Sequence, residues 1–510
     1  MRRIILIVEF VFMVLSMELH AQYHDANWLV SSGYMGQGSN TLIHFPVGGG
    51  APQISSTTGT IPFNYANASI SDANGNFLFF SNGIEVFDKN YQAIPGCIIQ
   101  TPYTIQWATA GLNRYNAGLF LPWPGDTNRY ALFYCVPEIP IINTGSCPGG
   151  WTWLSNHLYY TVLDKSLNGG NGGIVSSSSI AYLDTLVYLN GLTAVKHGNG
   201  RDWWILTRER CSSNTNTVLF TNFGIQQFFK QSIGPNLNDG LKSAVSRFTP
   251  NGITLATAID DTTIIFYKFD RCNGTLFDPI VLNTSPNGEV YSEFSPSSQL
   301  LYRNNPPQGI QTTQYDLNQY YLPNGILNSR TYIDPVADTG NCGQGVGSAS
   351  SACMPSLAPD GKIYWGHCYA CNLSVINFPD SLDTLCNMEY NTIQLPMPHS
   401  GALPQFPNFK LGPVVGSVCD SLTLISELNN ISVSMYPSPV EEKLTITSQK
   451  LLQNVSIHLF DQMGRLVLDQ NFSSGTVFQI NIPSYIRSGL YVVQIHSEKG
   501  NVSRKVIVQK

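Results

Sequence analysis

The chain has 510 residues, of which only 12% are charged and 11% aromatic, with 44 Gly and 30 Pro. That length exceeds one domain at ~150 residues each, and low charge with many aromatics and turn formers fits an all-β protein. A net charge of −6 with 27 Lys and Arg argues against a nucleic-acid partner, which would need a basic face, and equally against an anionic membrane surface.

At the N-terminus, Arg2 and Arg3 precede a largely apolar run from Ile4 to Met17, and Leu19-His-Ala21 gives a signal-peptidase site after Ala21. The run is shorter than the ~20 apolar residues that a bilayer span needs. Residues 1–21 are therefore predicted to be a cleaved signal peptide, leaving a mature chain without a transmembrane segment.

From residue 22 to 415 one pattern recurs: an apolar residue, a turn of Pro, Asn, Asp, Ser or Gly, then a strand. It appears at Ile70-Ser-Asp-Ala-Asn-Gly75, Phe248-Thr-Pro-Asn-Gly252, Phe294-Ser-Pro-Ser-Ser and Leu357-Ala-Pro-Asp-Gly361. A second strand follows, often ending on Asp, as at Val86-Phe-Asp88, Tyr267-Lys-Phe-Asp270 and Gln314-Tyr-Asp316. Steps of 46 and 63 residues between Phe248, Phe294 and Leu357 are those of propeller blades. The predicted fold is all-β: a β-propeller of about seven blades over residues 22–415, a linker at 416–431, and a small immunoglobulin-like β-sandwich at 432–510.

Chemistry is sparse along the body. No Gly-x-Ser-x-Gly elbow, His-Glu-x-x-His helix or P-loop occurs, so no catalytic residue and no cofactor is assigned. Gly169-Gly-Asn-Gly-Gly173 lacks a following helix and reads as a loop. The most polar group is Lys196-His197 with Arg201-Asp202. Together these could bind an anionic sugar or act as acid and base, but the spacing reads first as a hairpin between two strands. Asp260-Asp261 is too small a donor set to define a calcium site, and no metal site is assigned.

The 11 cysteines all fall between residues 97 and 419. Local pairing makes Cys135 with Cys147, Cys342 with Cys353, and Cys368 with Cys371 the candidate disulfides, and an odd count leaves at least one thiol. Cys368-Tyr-Ala-Cys371 after His367 has no second Cys-x-x-Cys to complete a zinc site.

In the last 80 or so residues, Val455, Ile457 and Leu459 alternate with polar neighbours, as do Tyr491, Val493 and Ile495 after Gly489. The order of cues is Tyr436-Pro437-Ser-Pro439, then Phe-Asp461-x-x-Gly464-Arg465, then Ser-Gly489-Leu490-Tyr491, then a basic last strand with Lys505. This order resembles the type A C-terminal sorting domain of the type IX secretion system, with Ser438 where that family usually has Asn. The body, through Asn168-Gly-Gly-Asn-Gly, Lys196-His-Gly-Asn-Gly-Arg-Asp-Trp-Trp204 and Pro359-Asp-Gly-Lys-Ile-Tyr364, is similar to the propeller regions of surface proteins exported by that route. The resemblance implies passage through the periplasm, contact with the type IX translocon and sorting machinery, and a place at the cell surface or in the medium. Asp380-Ser-Leu and Asp383-Thr-Leu, with triplets at Asp184, Asp261 and Asp420, look like the O-glycosylation motif of bacteria that use this route. Read together, the sequence predicts a non-enzymatic protein that binds a glycan or another surface protein. A propeller glycosidase or lyase and a purely structural surface component are the alternatives. The enzyme would need carboxylates or a His converging at the channel mouth.

Overall fold

A computed structural model describes residues 22–510 except 31–39, 59–60, 100, 102–103, 106–109, 113–117, 137–153, 182–186, 189–190, 211, 236–244, 260–262, 284–290, 306–313, 323–329, 338–351, 368–369, 421–432, 438, 462–465 and 499. The predicted signal peptide and its cleavage site at Ala21 lie outside the described residues. The chain forms two compact units, Met1–Pro413 and Val414–Lys510. No helix among the described residues is long and apolar enough to cross a membrane.

Among the described residues the first unit is a succession of antiparallel sheets, one of three strands followed by six of four, with a small two-stranded sheet of Leu154–Ser155 and Val187–Tyr188 beside them. In chain order their leading strands are Asn27–Val30, Ala68–Ser71, Gly118–Pro122, Thr193–Lys196, Val245–Phe248, Ser292–Phe294 and Ala352–Leu357. Burial falls from the leading to the last strand of a sheet. Thr193–Lys196 is buried throughout, whereas Gly224–Ser232 and Thr275–Asn283 are largely exposed. A sheet buried on both faces near its leading edge needs neighbouring sheets against it, which is the packing of a propeller.

Each recurring sequence pattern has a fixed place in this plan. Ile70, Phe248, Phe294 and Leu357 stand at or near the end of a leading strand, and the turn after each leads into the second strand. Asp88 and Asp270 mark the other hairpin of the sheet, between third and fourth strands, whereas Asp316, expected to end its strand, lies near the start of Gln314–Tyr321. Asp88 Oδ1 accepts the N–H groups of Asn90 and Gln92, and Asp270 Oδ1 accepts those of Cys272 and Asn273. Asp164 Oδ1 likewise accepts the N–H of Ser166. A short carboxylate that satisfies the backbone of a tight turn explains why this residue recurs at strand ends.

A segment from far along the chain bridges the first and last parts of this unit. Residues 400–406 run extended between the leading strands of the second and last sheets. Ser400 Oγ donates to the Asn64 carbonyl at 2.5 Å, and Asn67 Nδ2 donates to the Ala402 carbonyl at 3.3 Å. On the other side Gly401 accepts from the Met354 N–H at 3.3 Å, and Ser356 Oγ donates to the Pro404 carbonyl at 2.8 Å. Gly366 lies against the backbone of Gly401 with no room for a Cβ, so only glycine permits this approach. Trp28, Phe45 and Leu403 then share a core with Tyr364, Leu373 and Val375 of the last sheet, joining the two ends of the ring. Ring closure removes exposed edges that would otherwise recruit other chains.

The second unit is one connected sheet of five strands. Its long strand Lys443–Phe460 shifts register between Thr447 and Leu452 and changes partners there. Before the shift it pairs with Val433–Tyr436, and after it with Gly489–Ser497. Leu444 and Ile446 from one half and Ile457 and Leu459 from the other meet in a single core. A folded sheet thus yields the two-layered packing expected of a sandwich. Tyr491 donates its hydroxyl to the Arg487 carbonyl at 2.9 Å, a tyrosine corner of the kind found in immunoglobulin-like sandwiches.

Candidate functional site

The polar group anticipated from the sequence is a hairpin whose side chains bond one another and neighbouring elements. His197 accepts the Asn199 N–H at Nδ1 (3.0 Å), so its Nε2 is the protonated nitrogen and donates to the Cys272 carbonyl at 3.0 Å. Arg201 is bidentate to Asp202, at 2.8 and 3.0 Å, and Asn199 Nδ2 adds a third bond to that carboxylate. Lys196 Nζ donates to Gln22 and to the Gly200 carbonyl and lies over the Trp203 ring. Burial pushes the Lys196 ammonium down to about 8 and also lowers the His197 imidazole. The four side chains are consumed by one another, by Gln22 and by backbone.

A different set of residues converges on the axis of the ring. A 260 Å³ cavity is lined by the leading strands of five sheets and by the segment that closes the ring. Its ionisable residues are Asp25, Arg247, Glu293 and Lys410. Arg247 immediately precedes Phe248, and Glu293 immediately precedes Phe294. Ser356, which precedes Leu357, lines the same space. Phe248 and Leu357 line it as well, whereas Ser69, which precedes Ile70, does not, so the position before the repeated apolar residue is no consistent mark of this site.

The electrostatics follow from burial. Desolvation raises the Asp25 carboxyl to about 6, with Lys410 pulling the other way. Glu293 is raised by desolvation as well, opposed by the Arg247 guanidinium and by backbone N–H groups of Phe294 and Leu357. Glu293 Oε1 accepts the Phe294 N–H at 2.9 Å. Asp25 Oδ1 and Arg247 Nε are buried without a hydrogen-bond partner, while Arg247 Nη1 reaches the Ser246 carbonyl at 3.2 Å. Apolar walls come from Leu192, Phe248, Phe406 and Leu411. Lys410 also lies 5.0 Å over the Tyr23 ring. No group of three or more metal-ligating side chains occurs among the described residues.

The cysteines correct one expectation. Cys135, anticipated as the partner of Cys147, is a buried thiol, as are Cys97 and Cys386. It sits just past the strand Arg129–Tyr134 in the largest core cluster, where a small apolar side chain packs well. Cys147, Cys342 and Cys368 lie outside the described residues, and Cys353 is described for its backbone alone. Cys272, Cys371 and Cys419 are disulfide-bonded.

In the second unit Tyr436, Pro437 and Pro439 are exposed before the buried Val440, and Asp461 closes a strand. Gly464 and Arg465 lie outside the described residues, as do the side chains of Leu490 and Lys505. Residues 434–509 match the family described as secretion system C-terminal sorting domain. This region is a type IX secretion sorting domain. It directs the chain out of the cell, to the surface or the medium, and engages the secretion machinery.

No curated protein matches the chain. Among solved structures it is similar to a putative 6-phosphogluconolactonase from Bacteroides fragilis, at 11% identity and TM-score 0.42, covering 74% of this chain and 98% of that one. It is similar also to the periplasmic gluconolactonase of Pseudomonas aeruginosa, at 10% identity and TM-score 0.41, with the same coverages of 74% and 98%. A third likeness is the β-propeller domain of Cps50 from Myceliophteria thermophila, at 9% identity and TM-score 0.38, covering 67% of this chain and 93% of that domain. Nothing of their chemistry is carried over.

Proposed function

We propose that this chain is an exported binding protein whose seven-bladed propeller holds a glycan or a segment of a surface protein at its axial cavity, without turning it over. The observation that carries this reading is the cavity itself. Five leading strands, the ring-closing segment and Asp25 just before the first sheet place four ionisable side chains and several apolar walls around one cavity, the mixed lining that small-ligand sites have. The signal peptide at 1–21, the unit boundaries at 415 and 431, and the Cys342–Cys353 and Cys368–Cys371 pairings belong to the same proposal.

One observation favours a second reading. Asp25 and Glu293 are two carboxyl groups on one cavity, both shifted toward the protonated form by burial. A raised carboxyl beside a second one is the raw material of a glycosidase or lyase. The test is to immobilise the full chain and present it with soluble polysaccharides and purified surface proteins. Saturable binding that falls in Arg247→Gln with an unchanged melting temperature supports the binding reading. Cleavage of a bound glycan that disappears in Glu293→Gln transfers the conclusion to the enzyme.

A further inference from the structure

The lining of the axial cavity narrows its ligand to one chemical class, and this step rests on reading the cavity as a binding site. Its formal charges cancel: Asp25 and Glu293 are opposed by Arg247 and Lys410. The pairing is also local, since Arg247 acts on Glu293 and Lys410 on Asp25. A charged ligand would shed its hydration and meet repulsion from one pair member as it met attraction from the other, which gives no net electrostatic gain. A hydroxyl group behaves differently. It can donate to a carboxylate and accept from a guanidinium or ammonium, and it has no charge to desolvate.

The remaining walls fit the same class. Phe248 and Phe406 supply aromatic rings, and Leu192, Leu411 and Pro250 extend the apolar surface. A ligand with hydroxyls around its rim and C–H bonds on its faces uses both kinds of wall. The 260 Å³ volume lies just below the ~300–1,000 Å³ usual for drug-sized ligands, which suits one ring and not several. Phe406, Lys410 and Leu411 lie on the ring-closing segment, which runs over residues 400–413, so whatever fills the cavity also holds that segment in place. We propose that the axial cavity binds a neutral polyhydroxylated ring, either a neutral monosaccharide or the terminal residue of a glycan, with its hydroxyls on the charged lining and a face against Phe406.

The experiment uses the full chain at pH 7.5, ligand-observed NMR and thermal melts. The probes are glucose, galactose, mannose and N-acetylglucosamine, with glucuronate and glucosamine as charged counterparts. At least one neutral sugar is expected to bind saturably and to raise the melting temperature. Asp25→Asn and Phe406→Leu should each weaken that sugar at least tenfold, and the charged counterparts should bind at least tenfold more weakly than the best neutral sugar. Glucuronate or glucosamine binding as tightly as the neutral sugars would overturn the inference while leaving an axial binding site in place. Sugar binding indifferent to both variants would overturn it by moving the site elsewhere. Failure of every sugar, alongside a protein ligand lost in Arg247→Gln, would overturn it and leave the proposed binding function standing.

Discussion

Phe409 is the side chain on which closure of the ring can be weighed. It is 1% exposed, on a segment with no ladder of its own, and it packs edge-on against His24 at 5.2 Å and Trp203 at 5.8 Å. His24 precedes the first sheet, and Trp203 sits in the fourth. Truncating a buried Phe to Ala loses its transfer energy and leaves a cavity, together about 3–5 kcal/mol. The two edge-to-face contacts fall within that range and are not added to it.

The assay is guanidinium unfolding of the full chain, followed by a signal assigned to the first unit, with Phe378→Ala as the control. Phe378 is 59% exposed, so its truncation should stay within about 0.5 kcal/mol. Phe409→Ala should lower the midpoint by an amount equivalent to about 3–5 kcal/mol at unchanged slope. A loss below about 1 kcal/mol, or one equal to the control, would mean that residues 400–413 ride on the ring and do not close it.

Acid should unfold the first unit through buried neutral histidines. Burial holds His24, His367 and His399 at about 4, so each contributes stability above pH 6.5 that is lost as pH falls toward 4. Asp25, raised to about 6, acts oppositely and releases a proton on unfolding near pH 5. Unfolding near pH 5 should therefore take up roughly two protons net from these groups, about 2.5 kcal/mol per pH unit, read from midpoints between pH 4.5 and 6. A flat or inverted dependence in that window would refute the assignment. In the sorting domain, Tyr491→Phe should cost about 1 kcal/mol by leaving the Arg487 carbonyl without its donor, measured on the second unit's transition. Deleting 432–510 should leave the body in the periplasm, as followed by fractionation, and surface display of the truncated chain would contradict the sorting role.

The blades were legible because tight turns are chemically expensive and few residues serve them. Asn-Gly, Asp-Gly and strand-end Asp mark hairpins wherever they recur, and the structure shows Asp88, Asp164 and Asp270 capping those turns. The sorting domain was legible for a related reason, since the tyrosine corner needs Tyr491 at a fixed distance after its turn. The ring-closing segment was not legible. Pro404 and Pro407 interrupt any alternation, and its hydrogen bonds go to distant partners such as Asn67, Ser356 and Pro355, so no local pattern records them. Arg247 and Glu293 escaped notice because each is a lone charge in a short strand, whereas Lys196-His197 and Arg201-Asp202 are conspicuous only because a hairpin gathers them.

That contrast also decides where chemistry can reside. A polar cluster whose groups are already satisfied by one another, by Gln22 and Asn222 and by backbone has little capacity left for a ligand. The axial set draws its members from two sheets, the stretch before the first sheet and the closing segment, and leaves Asp25 Oδ1 and Arg247 Nε without partners. The same segment that closes the ring supplies Phe406 and Lys410 to that space. His399 completes the link, since its Nδ1 accepts the Gly401 N–H at 3.0 Å where the closing segment begins. Protonating that nitrogen removes an acceptor from the closing segment, while a ligand in the cavity adds contacts to it. Occupancy and closure are therefore thermodynamically linked: a ligand that binds only the closed ring stabilises it by RT ln(1 + [L]/Kd), and a variant that loosens closure must weaken binding in proportion. Phe409→Ala tests this too. It has no place in the cavity lining, yet by this linkage it should reduce ligand affinity wherever the open ring becomes populated.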